Sequence, residues 1–343
     1  MPIIQFSTME FDNTYETAAI LTEISASIAR NNSPMLTMGF SIGNESISAK
    51  KFDSVKGDLT AAGIEPGSIV NIRLKVSAYQ GNKSYIVDSI VPVTLTEAEV
   101  KQLVKTPPVD PEVLVNEIVS LIKQSSGRPY DMATLTVPDD DFSITALAVR
   151  IINSLRPAFV RSSAAKTMHH NFYGGLAYHT NRMIKAAYSL CSVYSLLDRE
   201  LLVCGVALHD IGKLLELKTT DTGVTTYTTD GDLFGHLLLG IEIIDKICWE
   251  QRAKGGPQYD PEQVKMIKHM IASHHGKPEF DAIRYPATPE AMALHELDMI
   301  DSRIYMYEEN FASLAPGELS EPIFGISGDR RTAIYKNSFS NYS

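Results

Sequence analysis

Hydrophobic residues alternate with polar ones in the first part of the chain and recur every three or four positions in the rest. Val70, Ile72, Leu74 and Val76 alternate with Asn71, Arg73 and Lys75, the period of a strand with one buried face. Gln80-Gly81-Asn82-Lys83 turns the chain, and Ser84-Tyr85-Ile86-Val87 returns as the next strand. Met38, Phe40 and Ile42 alternate in the same way, Gly43-Asn44 turns, and Ile47 and Ala49 continue. A short helix is expected from Ser54 to Ala62, ended by Gly63. Three strands, a helix and two strands within residues 1–97 is the order of a five-stranded OB barrel.

Thr106-Pro107-Pro108-Val109-Asp110-Pro111 breaks the pattern, because proline ends both helices and central strands. Beyond it the period is helical. Val113, Ile118 and Leu121-Ile122 mark one helix, and Ile144, Leu147, Ile151 and Leu155 another. Further helices are expected over Arg199 to Asp210, Leu237 to Trp249, Glu262 to Ser273 and Pro289 to Glu308, and one short strand over Val224 to Tyr227. From Asn310 the pattern fades among Pro316-Gly317, Gly325 and Gly328. The expected organisation is a multi-domain chain: an N-terminal β-barrel (OB-fold) at 1–97, a linker at 98–111, an all-α domain at 112–310 and a tail at 311–343.

Composition narrows this only a little. A chain of 343 residues that is 44% hydrophobic and 21% charged is an ordinary globular sequence. Its longest central apolar run, Leu201 to Leu208, is too short to span a bilayer, so no membrane partner is expected. Met1-Pro2-Ile3-Ile4-Gln5 does not read as a signal peptide. Cys191, Cys204 and Cys248 are an odd count without CxxC spacing, which suits buried thiols in the cytoplasm. A formal net charge of −10 excludes coating of nucleic acid by bulk electrostatics. It does not exclude an acidic site neutralised by bound metal.

Histidine changes the picture most. All nine copies lie between His169 and His295, and imidazole is the side chain most used for transition metals and proton transfer. His209-Asp210 ends an apolar helix and is followed by Gly212, expected to supply the turn that lets both converge. His274-His275, followed by Gly276, is a second such pair. A carboxylate can bridge two ions, so the His-Asp pair is a fitting nucleus for a dinuclear centre. His179, His236 and Asp298 supply further donors. Histidine and aspartate without thiolate suit Mn²⁺, Fe²⁺, Zn²⁺ or Co²⁺.

These residues carry a resemblance. His179…His209-Asp210…Asp298 resembles the signature of the HD phosphohydrolase superfamily, an all-α metal-dependent fold. Ala164 to Thr180, Tyr227-Thr228…Gly231-Asp232-Leu233-Phe234-Gly235-His236 and His269 to Gly276 resemble motifs of the YhaM-type 3′→5′ exoribonucleases. The likeness covers nearly the whole chain. It departs after Glu279-Phe280, where Asp281-Ala282-Ile283 replaces the family's small-residue segment.

The resemblance implies an HD domain at 112–310 acting on single-stranded RNA, or single-stranded DNA, with release of 5′-nucleoside monophosphates. It implies His179, His209, Asp210 and Asp298 as ligands of one ion, and His236 and His274 with bridging Asp210 at a second. Mn²⁺ is favoured, with Co²⁺, Fe²⁺, Zn²⁺ or Mg²⁺ as the other choices. His275 and His169 are ligands or their supports. Asp301, on the same helix face as Asp298, is its rival. Asp210, Lys213 and His170 are the catalytic candidates, with Lys213 on the scissile phosphate and His170 on the substrate or behind a ligand. His269 and His295 are expected to be supporting residues. In the barrel, Phe40, Phe52, Tyr79 and Tyr85 are candidates for base stacking. Lys50, Lys51, Arg73, Lys75 and Lys83 are candidates for phosphates. A homo-oligomer is implied. The alternatives are a phosphohydrolase for nucleotides or cyclic dinucleotides, and a non-catalytic nucleic-acid-binding protein.

Overall fold

Strict alternation puts Leu36, Met38, Phe40 and Ile42 on one face of a strand, and Val70, Ile72, Leu74 and Val76 on one face of another; all eight are fully buried. They belong to a computed structural model that describes residues 3–29, 31–79, 82–166 and 170–340, with Tyr79 and Asp329 described by backbone alone. Five strands form a closed barrel: β1 (Thr14–Ile28), β2 (Pro34–Ile42), β3 (Glu45–Phe52), β4 (Ile69–Tyr79) and β5 (Asn82–Pro92). Their order is β1-β2-β3-β5-β4, and β4 returns to β1. Helix α1 (Lys56–Ala61) lies between β3 and β4 in the chain, shorter than the Ser54 to Ala62 expected. This is the OB-fold. Closure works because β1 is long enough to pair twice. Thr14–Ile20 pairs with β4, Ile20–Ile28 pairs with β2, and an irregularity between Leu21 and Glu23 bends it at the change of partner.

The segment expected as a linker is partly ordered. It carries α2 (Glu97–Leu103), capped by Thr96, whose side chain accepts from the Glu99 amide. Leu103 is buried in the barrel core, and its carbonyl accepts from Gly43 N at 2.8 Å. Met1–Pro108 forms one compact unit together with Thr219–Thr226, and Val109–Lys218 with Tyr227–Ser343 forms the other. Within the first unit Thr222 Oγ1 donates to Gly67 O at 2.9 Å.

The second unit is helical. Its helices are α3 (Pro111–Ser125), α4 (Ile144–Ser154), α5 (Arg156–Arg161), α6 (Gly175–Val193), α7 (Arg199–Leu208), α8 (Lys213–Glu216), α9 (Thr229–Lys254), α10 (Pro261–Ser273) and α11 (Pro289–Phe311); between α8 and α9 the chain leaves the unit through strand β6 (Leu217–Thr219) and returns through β7 (Thr225–Tyr227). Asp110, Ser143, Asp198, Thr228, Asp260 and Thr288 cap α3, α4, α7, α9, α10 and α11 by accepting from first-turn amides. Helix α7 is buried from Leu202 through Leu208, so it runs through the core rather than over it. That placement carries its C-terminal end, His209-Asp210, to the centre of the unit. No helix among the described residues is long and apolar enough to cross a membrane.

Besides α1, α2 and the unexpected α6, two further regions differ from the sequence reading. Helix α9 starts at Thr229 rather than Leu237, and Gly235, at φ 68° and ψ 159°, interrupts it. The tail is structured: β8 (Ile323–Gly325) and β9 (Gly328–Thr332) form a hairpin, and Phe311, Ile326 and Ile334 make a small core.

Candidate metal centre

The two oxygens of Asp210 face two different groups of histidines. Oδ2 lies 3.2 Å from His209 Nε2 and 4.0 Å from His179 Nε2. Oδ1 lies 3.5 Å from His236 Nε2 and 3.6 Å from His274 Nε2. Asp298 Oδ1 adds a donor 3.3 Å from His179 Nε2, and His275 Nε2 one 3.2 Å from His236 Nε2. Donor atoms of His179, His209 and Asp298 fall within 4.8 Å of one another, as do those of His236, His274 and His275. The chain ends of α7 and α10, the broken start of α9, α6 and α11 each bring donors to this one point.

The outward-facing ring nitrogens show why the inward ones are ready for an ion. His209 Nδ1 donates to Val206 O at 2.8 Å and His274 Nδ1 to Ile271 O at 2.9 Å. Each is a bond from a helix-end histidine to a carbonyl three residues earlier. His179 Nδ1 lies 2.7 Å from Asp301 Oδ2, and His236 Nδ1 lies 3.1 Å from Glu216 Oε1. Such acceptors fix the tautomer that leaves Nε2 as a ligand and raise its basicity. His209 Nε2, Asp210 Oδ1 and His274 Nε2 are buried yet make no hydrogen bond. Buried polar atoms without partners are costly, and a cation between them supplies the missing interaction. The donor set therefore fits divalent metal.

The surrounding carboxylates draw positive charge to this point. Burial alone would depress His179, but its hydrogen bonds to Asp298 and Asp301 and their charges lift it to about 9 without an ion, so a cation bound at Nε2 would displace a proton. Burial and the neighbouring His274 and His236 push His275 down to about 3, so its ring is neutral. Burial would raise Asp210 and Asp298. It is outweighed at Asp210 by His209 and Lys213, and at Asp298 by the His179 hydrogen bond, so both stay ionised. Lys213 Nζ sits 2.7 Å from Asp210 Oδ2 and lines the cleft beside the centre. Burial would lower its pKa, and the Asp210 charge raises it instead.

Several expected roles change. His170 is fully buried, with Nε2 2.9 Å from Asp301 Oδ2 and its ring 3.9 Å from that of Tyr305. A side chain enclosed in this way does not reach a bound strand, which rules out the expected catalytic role; of the two expected places His170 takes the one behind a ligand, against Asp301, which holds His179. Asp301 faces the far nitrogen of His179 and also takes Arg182 Nε at 2.7 Å, so it is not in the place of Asp298. Phe40 and Tyr85 lie in the barrel core, Phe40 fully buried and Tyr85 packed edge-on against Phe6, and neither offers a face to a base. Phe52 is 42% exposed, and Arg73 is exposed. Lys51 is half-buried, with Nζ donating to Asp88 O at 3.1 Å. His169 and the side chain of Tyr79 lie outside the described residues. His295 Nδ1 donates to His274 O at 2.7 Å, and His269 Nε2 accepts from Ala287 N.

Gly212 also acts differently from the sequence reading. Its backbone is ordinary right-handed helix, φ −64°, so the turn needs no glycine. Space does: a Cβ there would lie 1.9 Å from His236 O and 2.5 Å from Gly240 N. Glu216 was not visible in the sequence, because nothing marks one carboxylate as the partner of a histidine 20 positions on. It accepts from both the backbone N and Nδ1 of His236, each at 3.1 Å. Replacing such a supporting carboxylate costs about 10–100-fold in metal affinity. Glu216→Ala is therefore expected to weaken Mn²⁺ binding by about that factor, read by competition with a metallochromic chelator. Unchanged affinity would remove Glu216 from the centre.

Comparison with known proteins agrees with the geometry. Residues 176–303 match the family described as HD domain. A 3′-5′ exoribonuclease YhaM from Bacillus licheniformis is 31% identical over 313 residues, 91% of this chain and 91% of its own. Proteins of the same name from Halalkalibacterium halodurans and Listeria welshimeri are each 30% identical, covering 94% and 91% of this chain and 93% of their own.

Proposed function

The chain belongs to the family of YhaM 3′-5′ exoribonucleases, and from that membership we propose how this copy works. It is a metal-dependent hydrolase that shortens RNA from the 3′ end. Our reading is that the substrate is single-stranded RNA and that each cycle releases a 5′-nucleoside monophosphate. Two ions serve the reaction: His179, His209, Asp210 and Asp298 would hold one, and His236, His274, His275 and Asp210 the other. One observation carries this, the splitting of the Asp210 oxygens between the two histidine groups. When bound, divalent ions supply Lewis-acid polarisation of the phosphodiester and a nucleophilic water available near neutral pH.

The protein's own groups supply the remainder. Lys213 brings a fixed positive charge to the cleft wall, where a phosphate approaching Asp210 would meet it. Asp301, braced by Arg182 and His170, keeps His179 turned toward Asp298. The imidazole and carboxylate donors, with no thiolate among them, suit Mn²⁺, Fe²⁺, Co²⁺ or Zn²⁺, and an imidazole-rich set disfavours Mg²⁺; Mn²⁺ is the ion our reading takes first. The unpaired thiols of Cys191, Cys204 and Cys248 support a reducing cytoplasmic setting. Exposed Phe324, Tyr335 and Phe339 on the tail support self-association, which a light-scattering mass would check.

The deciding experiment uses 5′-labelled single-stranded RNA with Mn²⁺. A labelled ladder that shortens from the 3′ end is expected, with unlabelled 5′-mononucleotides accumulating beside it by chromatography. Intact RNA beside turnover of a free nucleotide or cyclic dinucleotide would move the chain to the phosphohydrolase alternative.

A further inference from the structure

A cleft of about 560 Å³ opens beside the metal centre and shares Lys213, His236 and His275 with it. That volume lies within the range of about 300–1,000 Å³ typical of small-ligand sites. One wall is the segment from the end of β7 into the broken start of α9. It presents Tyr227, 46% exposed, and Phe234, 52% exposed. Gly235 makes the presentation possible: its positive φ interrupts the helix between Phe234 and His236. Phe234 is thereby free to line the cleft while His236 turns to the ions. Lys166 Nζ lies 5.5 Å from the centroid of the Tyr227 ring and lines the same cleft.

Large exposed aromatic side chains next to a catalytic centre need an occupant, and the charges of the cleft restrict it. Glu216, Asp232 and Asp281 line it together with the lysines. A run of phosphates threading past three carboxylates would be repelled, whereas a single terminal nucleoside carries its charge only on the side of the scissile phosphate. A neutral base, by contrast, stacks well on tyrosine or phenylalanine. We propose that Tyr227 and Phe234 form the seat of the 3′-terminal base of the RNA. This seat places the last nucleoside so that its 5′-phosphate meets Lys213 and the ions. The proposal rests on the exoribonuclease reading and adds to it the residues that recognise the strand end.

The test pairs protein and substrate changes. Wild type, Tyr227→Ala, Phe234→Ala and Tyr227→Phe are compared on one single-stranded RNA with an ordinary 3′ terminus and on the same RNA with an abasic 3′-terminal nucleotide. Metal content confirms that each variant keeps its centre. Wild type and Tyr227→Phe are expected to remove the abasic nucleotide about 10-fold more slowly than the normal one, the size of one base–aromatic stack. The two alanine variants are each expected to lose about 10-fold on the normal RNA and to discriminate between the termini less than wild type, because one ring of the seat remains. Equal losses on both RNAs would make the rings structural and overturn the proposal, as would a wild type indifferent to the terminal base. If wild type shortens neither RNA, the exoribonuclease reading itself fails, and the seat with it.

Discussion

Asp210→Ala removes RNA shortening by at least about 10³-fold, as expected for a group on which several others converge. The reason lies in its position. Each of its oxygens faces a separate histidine group, and one also takes the Lys213 ammonium. Alanine deletes a donor from both halves of the centre and leaves Lys213 without its counter-charge. Among the described residues Asp298 is then the one carboxylate left facing the centre, on the side of His179, and His236, His274 and His275 are left without one there. Bound metal, measured by elemental analysis after gel filtration, should fall together with activity. The fold should survive, because Asp210 contributes no apolar packing, and thermal unfolding distinguishes a lost site from a lost structure. A variant that keeps full activity would refute the assignment of the centre whatever the substrate.

Gly212→Ala is expected to have the next largest effect, although residue 212 carries no side chain. A methyl group there would lie 1.9 Å from His236 O and 2.5 Å from Gly240 N, both backbone atoms that cannot rotate away. Relief requires α8 and α9 to separate. Overpacking of this kind costs about 1–3 kcal/mol, and a displacement near 1 Å at a catalytic group costs about 10²-fold in rate. His236 and its support Glu216 lie on the two elements pushed apart. Gly240→Ala is the internal control. A Cβ at 240 would lie 3.4 Å from Gly212 N and farther from the nearest side chains, so it should unfold and react much like wild type. Equal behaviour of the two variants, by chemical denaturation and by initial rate, would remove the close-approach argument.

Both effects depend on contacts that a linear reading reaches only in part. The barrel was legible because half-buried strands alternate with period two. That rule also contained the answer for Phe40: it shares the parity of Met38 and Ile42, and all three are fully buried. Helix α6 was hard to see because its inward face includes His179, Thr180 and Asn181, which dilute the apolar stripe. The start of α9 was missed because Gly235 breaks the helical period ahead of the apolar run. The tail hairpin rests on three buried side chains, Phe311, Ile326 and Ile334, too few to stand out.

What the sequence by itself determined was the inventory: an OB barrel, a helical unit, and a set of histidines and aspartates at spacings that end helices at one place. These features are local, and the chemistry of imidazole and carboxylate narrows what they can bind. Only the tertiary structure decided which nitrogen of each ring faces inward, since that depends on what its other nitrogen meets. For His179 the partner is Asp301, 122 residues away. For His209 and His274 it is a carbonyl three residues back. Packing likewise assigned His170 to a buried support, Gly212 to a point of backbone contact, and Tyr227 with Phe234 to a cleft wall. Periodicity records burial within a regular strand, as at Phe40, but the orientation of these side chains arises from contacts between elements distant in the chain, which no periodicity records.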